Sequence, residues 1–186
     1  FQVGGERNHY PAQGTAAVTG CGVPDRAAAV ADLTLASFLG TTHVTVDVLG
    51  YYAPATGSRY QTVTPCRAVD TRFAPGGKML PDTTRLFQVG GERNHYPAQG
   101  TAAVTGCGVP DRAAAVAAAV TAVGPEGNGF ARLFPAGSAA NGTFVNFTTG
   151  RSITNAGALA LANGGLQDLA LKDFGAATNF VVDVLG

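Results

Sequence analysis

Arg67, Asp70 and Arg72 crowd the short stretch CRAVDTR (Cys66–Arg72), and a further carboxylate, Asp183, stands in the otherwise apolar run VVDVLG (Val181–Gly186). Two guanidinium groups around a carboxylate have the makings of an anion site or of part of a catalytic constellation. They are also what a carboxylate taken out of water demands, because an ionised group inside a protein needs a partner. A bidentate Arg-to-Asp pair meets that need with the fewest side chains. Structural ion pairing is therefore the expected role of Arg67, Asp70, Arg72 and Asp183. His9, His43 and His95 have no ligand spacing with one another or with a cysteine, and no Asp-rich loop looks like a calcium cradle, so neither a metal nor a cofactor is expected. No serine occupies a Gly-x-Ser-x-Gly elbow. A carboxylate pair for glycoside hydrolysis would have to be assembled from distant loops, and most of the acidic residues neighbour an arginine. The expectation is a protein that is not an enzyme. Asn141-Gly-Thr143 and Asn146-Phe-Thr148 are N-glycosylation sequons, which makes Asn141 and Asn146 candidate sites for covalent glycans.

The elements that carry these residues follow from composition and rhythm. Among 186 residues there are 26 Gly, 10 Pro and no Trp, and only 13% are charged. That is a profile of short strands and tight turns rather than of amphipathic helices. Twelve basic residues balance twelve acidic ones, so no long-range field would gather nucleic acid or an anionic membrane. No apolar run approaches the roughly 18 residues a bilayer helix needs, and no membrane insertion is expected. Near-zero net charge favours self-association. From Tyr60 onward, GFARLFPAG, GTFVNFTTG, SITNAGALALANGG, LQDLALKDFG and TNFVVDVLG follow one another, each closed by Gly or a Gly pair. That is the rhythm of an antiparallel β-sandwich or jelly-roll. VPDRAAAVAAAVTAVGP (Val109–Pro125) is ambiguous: its alanines suit a helix, whereas Val116, Val120, Val123 and Thr121 before a Gly-Pro stop favour a buried strand. ERNHYPAQGTAAVTGCG (Glu92–Gly108) reads as a polar excursion, a long surface loop.

The chain also copies itself. FQVGGERNHYPAQGTAAVTGCGVPDRAAAV (Phe1–Val30) returns unchanged as Phe87–Val116, and Ala31–Gly50 aligns without gaps on Gln167–Gly186, preserving Asp32/Asp168 and the closing Val-Asp-Val-Leu-Gly. The first copy therefore lacks any counterpart of Ala117–Leu166. Residues 1–50 are a partial copy, residues 51–59 (YYAPATGSR) a Pro/Gly/Ser/Thr linker, and residues 60–186 the complete unit. A repeat of this length is a small domain rather than a solenoid turn. The expected context is a longer array of tandem beads.

Five motifs in order, PCRAVDTR (Pro65–Arg72), CGVP (Cys107–Pro110), FPAG (Phe134–Gly137), VNF (Val145–Phe147) and VDVLGYY (Val46–Tyr52), resemble a tandem-repeat β-domain of secreted and cell-surface bacterial proteins. That resemblance implies an exported, structural or adhesive protein, similar to subunits of extracellular filaments. In an exported protein the cysteines of the complete unit, Cys66 and Cys107, are expected to form a disulfide; in a cytosolic one they would be free thiols. Cys21 repeats Cys107. The leading expectation is a filament of the chain with itself, its β-sandwich units joined by strands shared across boundaries. The candidate inter-unit strand carries Val44, Val46, Val48, Leu49, Tyr51 and Tyr52. The rival is a carbohydrate-binding or adhesive module, whose usual aromatic platform is poorly served by a chain with no Trp and with its tyrosines scattered.

Overall fold

The computed structural model describes His43 and residues 59–91, 97–101, 106–163 and 166–186. The chain divides into two units, Phe1–Arg59 and Tyr60–Gly186. The partial copy apart from His43, with the inter-unit residues Val44, Val46, Val48, Leu49, Tyr51 and Tyr52, lies outside the described residues; so do His9, Cys21 and His95.

The second unit is all-β. Its strands are β1 (Cys66–Asp70), β2 (Thr84–Phe87), β3 (Ala115–Val123), β4 (Gly129–Pro135), β5 (Val145–Phe147), β6 (Ile153–Ala160), β7 (Leu169–Phe174) and β8 (Asn179–Val184). They form two four-stranded antiparallel sheets with orders β1-β8-β3-β6 and β2-β7-β4-β5. Side chains from both sheets meet in one core that includes Val69, Phe87, Val120, Phe147, Leu171 and Phe180. Each fully buried side chain of that kind contributes about 1.5–3 kcal/mol.

The Ala-rich stretch is a strand, and the reason is its alternation. Val116, Ala118, Val120 and Ala122 are buried, while Ala115, Ala117, Ala119, Thr121 and Val123 between them are partly or fully exposed. A helix would scatter those positions around its axis, whereas a strand puts every second residue on one face. β3 is central, paired with β6 on one side and β8 on the other, so its backbone groups are satisfied along its length.

The segment read as a surface loop does more than cross the surface. Its 3-10 turn, Pro97–Gln99, sends the buried Gln99 amide inward. Gln99 Nε2 donates to the carbonyls of Ala68 (2.8 Å) and Gln88 (2.9 Å), and its Oε1 accepts from the Gln88 N–H at 2.6 Å. Ala68 has that carbonyl to offer because β1 bulges there: the register steps from Arg67↔Asp183 to Val69↔Val182. Gly100 closes the turn at φ +82°, where a Cβ would run into the Asp70 carbonyl.

A second buried polar side chain seals the end of β2. Asp168 accepts from the N–H groups of Val89 (2.8 Å) and Gly90 (2.7 Å), and a Cβ on Gly90 would lie 2.9 Å from its Oδ2. Asp168→Ala leaves both donors buried without those acceptors and is expected to cost about 2–3 kcal/mol, measured by urea unfolding at neutral pH. A loss under about 0.5 kcal/mol would show that the two N–H groups find other acceptors.

Candidate functional site

The charged residues singled out from the sequence come together at the β1–β8 pairing. Arg67 lies directly across from Asp183, and its guanidinium binds both carboxylate oxygens, Nε to Oδ1 at 2.9 Å and Nη2 to Oδ2 at 3.2 Å. Its Nη1 reaches Asp70 Oδ2 at 3.4 Å. Asp70 is only 1% exposed, and Arg72 holds it from the other side, Nε to Oδ1 at 2.8 Å and Nη2 to Oδ2 at 2.6 Å, with the Arg72 N–H adding a bond at 3.2 Å. The order is Asp183, Arg67, Asp70, Arg72, alternating in sign.

Electrostatics follow from that order. The Arg72 guanidinium, helped by Arg67 and opposed by burial, holds the Asp70 carboxyl below the ordinary carboxylate range. The Asp183 hydrogen bonds raise Arg67, and those of Asp70 raise Arg72. The outer Arg67–Asp183 pair is half in water and contributes under about 1 kcal/mol. Asp70 is different, since stripping a buried carboxylate of its partners costs about 3–5 kcal/mol. Each cation is engaged by a carboxylate, and the arrangement fastens β1 to β8 across the bulge.

Cys66, next to Arg67, is disulfide-bonded to Cys107, with Cα atoms 5.5 Å apart and a sequence separation of 41. The bond ties the start of β1 to the segment leading into β3. That segment is held a second time, by the Gly91 N–H donating to the Val109 carbonyl at 2.7 Å. Charge network and disulfide thus sit at neighbouring positions of one strand.

Asn141 and Asn146 are both exposed, Asn141 in the β4–β5 loop and Asn146 on β5 opposite Phe130. His43 is exposed. Its counterpart in the complete unit is Asn179, whose Oδ1 accepts from Thr71 Oγ1 at 3.3 Å, so one repeat position carries an imidazole in one copy and an amide in the other. Among the described residues no group of three or more His, Cys, Asp or Glu side chains could hold a metal ion, and no helix is long and apolar enough to cross a membrane.

Two features escaped the sequence reading. On the outer face of the second sheet, Phe130 of β4 and Phe174 of β7 are cross-strand neighbours with stacked rings, centroids 4.7 Å apart. Arg132 and Lys172 form the next cross-strand pair, their charges 5.0 Å and 4.7 Å from the Phe174 ring. The period-two spacing of these residues in GFARLF and LKDF was the available signal. The other is Asp173, fully buried in β7 on the face that carries Leu169 and Leu171, with no hydrogen-bond partner of good geometry for either carboxyl oxygen. Burial, partly opposed by the Phe174 N–H and reinforced by the negative charge of Asp82, pushes this carboxyl up to about 7. Its alternation with the two leucines announces an inward carboxyl, but nothing in the sequence says whether a partner awaits it.

No protein-family model, curated protein or solved structure matches the chain.

Proposed function

We propose that the protein is a structural element of an extracellular bacterial fibre, polymerising with its own kind and open to glycans at Asn141 and Asn146, with no catalytic role. The observation that carries this reading is the verbatim duplication of Phe1–Val30 as Phe87–Val116, in a chain whose complete copy is a disulfide-tied β-sandwich. Repetition of so long a stretch serves length and periodicity better than it serves chemistry. A disulfide persists in oxidising surroundings outside the cytosol, which suits an exported location. The complete unit is a jelly-roll on this reading: in the orders β1-β8-β3-β6 and β2-β7-β4-β5, the first strand lies beside the last and the second beside the seventh, as in a long hairpin wound around a barrel.

Strand sharing belongs to the partial copy. In the complete unit β8 is hydrogen-bonded on both sides, by β1 and β3, and has no edge to lend. The first copy lacks counterparts of all of β3 beyond its first two residues and of β4, β5 and β6. Val44, Val46 and Val48, which correspond to Phe180, Val182 and Val184, therefore have no equivalent of β3 within their own copy. A strand from a neighbouring unit would supply it. Head-to-tail contacts that do not close into a ring make an open filament.

Negative-stain micrographs of the purified chain test the fibre. Long unbranched filaments are expected, and discrete particles at every concentration overturn the reading. One observation favours the carbohydrate-binding alternative, the Phe130–Phe174 stack with Arg132 and Lys172 beside it, an exposed-side aromatic and cationic surface. Saturable retention on insoluble polysaccharide, lost in Lys172→Ala, would move the assignment there.

A further inference from the structure

The sandwich has four edge strands, β1, β6, β2 and β5. Exposed edges invite pairing with another chain, and proteins blunt them with charge, proline, bulges or brevity. Three of these edges are blunted. β1 carries Arg67, Asp70 and the bulge at Ala68; β2 has four residues, one of them Arg85; β5 has three. β6 is not. Its eight residues, ITNAGALA, contain neither charge nor proline, and it runs in unbroken register against β3 from Ile153 to Ala160.

Register tells which of its backbone groups are spare. The Leu161 N–H donates to the Ala114 carbonyl, so odd-numbered residues of β6 bond to β3 and Thr154, Ala156, Ala158 and Ala160 turn their N–H and C=O groups away from it. One of these groups, the Ala156 N–H, is met locally by Asn155 Oδ1 at 3.0 Å. The same four residues put small, exposed side chains on the outer face of the sheet, where nothing bulky or charged on β6 itself obstructs an approaching strand.

We propose that β6 pairs with β6 of a second copy of this chain, antiparallel about a two-fold axis, joining two sandwiches into one continuous eight-stranded sheet. The edge is self-complementary, as an isologous contact requires. Outward-facing residues must pair with one another, and the register that uses all of them sets Thr154 opposite Ala160 and Ala156 opposite Ala158. Gly157 then lies on the axis, at a non-hydrogen-bonded position where the two backbones come closest and where it has no side chain to clash. On pairing, the Ala156 N–H exchanges its Asn155 acceptor for the partner's Ala158 carbonyl. The first copy has no counterpart of β6, so this edge occurs once within Phe1–Gly186 and a contact between two such stretches closes at two. It does not depend on the fibre: it would link fibres side by side, or dimerise the chain if there are none.

Sedimentation velocity of the full chain over a concentration series tests this, with Ala158→Pro and Ala156→Lys as variants. The Ala158 N–H points away from β3, so proline removes an edge donor and spares the internal ladder; lysine on the outer face touches no core contact. Thermal melting reports that each variant folds, and the lysine variant serves if the proline one does not. Expected are a wild-type dimer and a dimer dissociation constant at least about tenfold weaker in the variants. A wild-type chain that stays monomeric, or variants that dimerise as tightly as wild type, overturns the proposal. Fibres are scored separately by microscopy: dimers without fibres would sink the fibre reading alone, and fibres from a chain whose β6 variants behave as wild type would sink this one alone.

Discussion

Cys66→Ser combined with Cys107→Ser, on a Cys21→Ser background to prevent thiol exchange, is expected to lower the unfolding free energy of the complete unit by about 4 kcal/mol. The bond closes a loop of 41 positions, and the entropy an open chain regains when such a loop is released corresponds to that magnitude at 25 °C. A domain of this size has a margin of about 5–15 kcal/mol, so the loss consumes a large share of it. The loop spans β1, β2 and the Pro97–Gln99 turn, and Gln99 on Ala68 and Gln88, with Gly91 on Val109, adds polar contacts to the apolar ones of Val69, Phe87 and Val89. Guanidinium unfolding of the oxidised and cysteine-free chains measures the difference. If the two midpoints coincide, the loop is already constrained in the unfolded chain and the disulfide contributes little.

Asp173→Asn is expected to stabilise the protein at and above neutral pH and to remove most of the pH dependence between about pH 4 and pH 7. In the folded chain the buried carboxyl keeps its proton up to about 7, whereas in the unfolded chain it gives the proton up near the ordinary value of 3.8. Between those values the folded state binds the extra proton, so stability falls as pH rises, and the fall ends once the folded group has also ionised. The gap corresponds to about 4 kcal/mol. Asp70 works in the opposite sense. Arg72 holds it below the ordinary range, so its contribution is complete above about pH 4 and disappears as the pH drops through its lower folded value. Wild-type stability should therefore peak in mildly acidic solution, falling on the acid side as Asp70 protonates and on the alkaline side as Asp173 ionises. Unfolding free energies at pH 4.5 and pH 8 for wild type and Asp173→Asn test this. An unchanged slope in the variant would show that the carboxyl escapes to water when it ionises.

The residues legible in the sequence share a feature: what they need is stated by their own type or by close neighbours. An Asp within VVDVLG needs a cation, and CRAVDTR supplies two; Val116 and Val120, four apart ahead of Gly-Pro, need a core on one side. Asp168 was half legible, since Asp32 repeats it, but its bonds to Val89 and Gly90 reach across 79 and 78 positions. Gln99 lay in a stretch whose polarity suggested surface, and it is buried because a bulge at Ala68, far off in sequence, leaves a carbonyl for it to meet.

By itself the amino-acid order determined that Tyr60–Gly186 is built of strands, that Phe1–Val30 returns as Phe87–Val116 while Ala117–Leu166 has no earlier counterpart, and which charges and cysteines had to find partners. Those are statements about composition, periodicity and identity, all readable along one dimension. Only the tertiary structure decided which strands lie side by side, and with that everything set by register: among the described residues β8 is enclosed on both sides while β6 ends its sheet, Phe130 is laid on Phe174, and Asp173 is shut in with no ion-pair partner. Strand pairing is a contact between distant stretches whose alternation of side chains looks the same for several neighbours. The choice among them is made by the packing of both sheets at once.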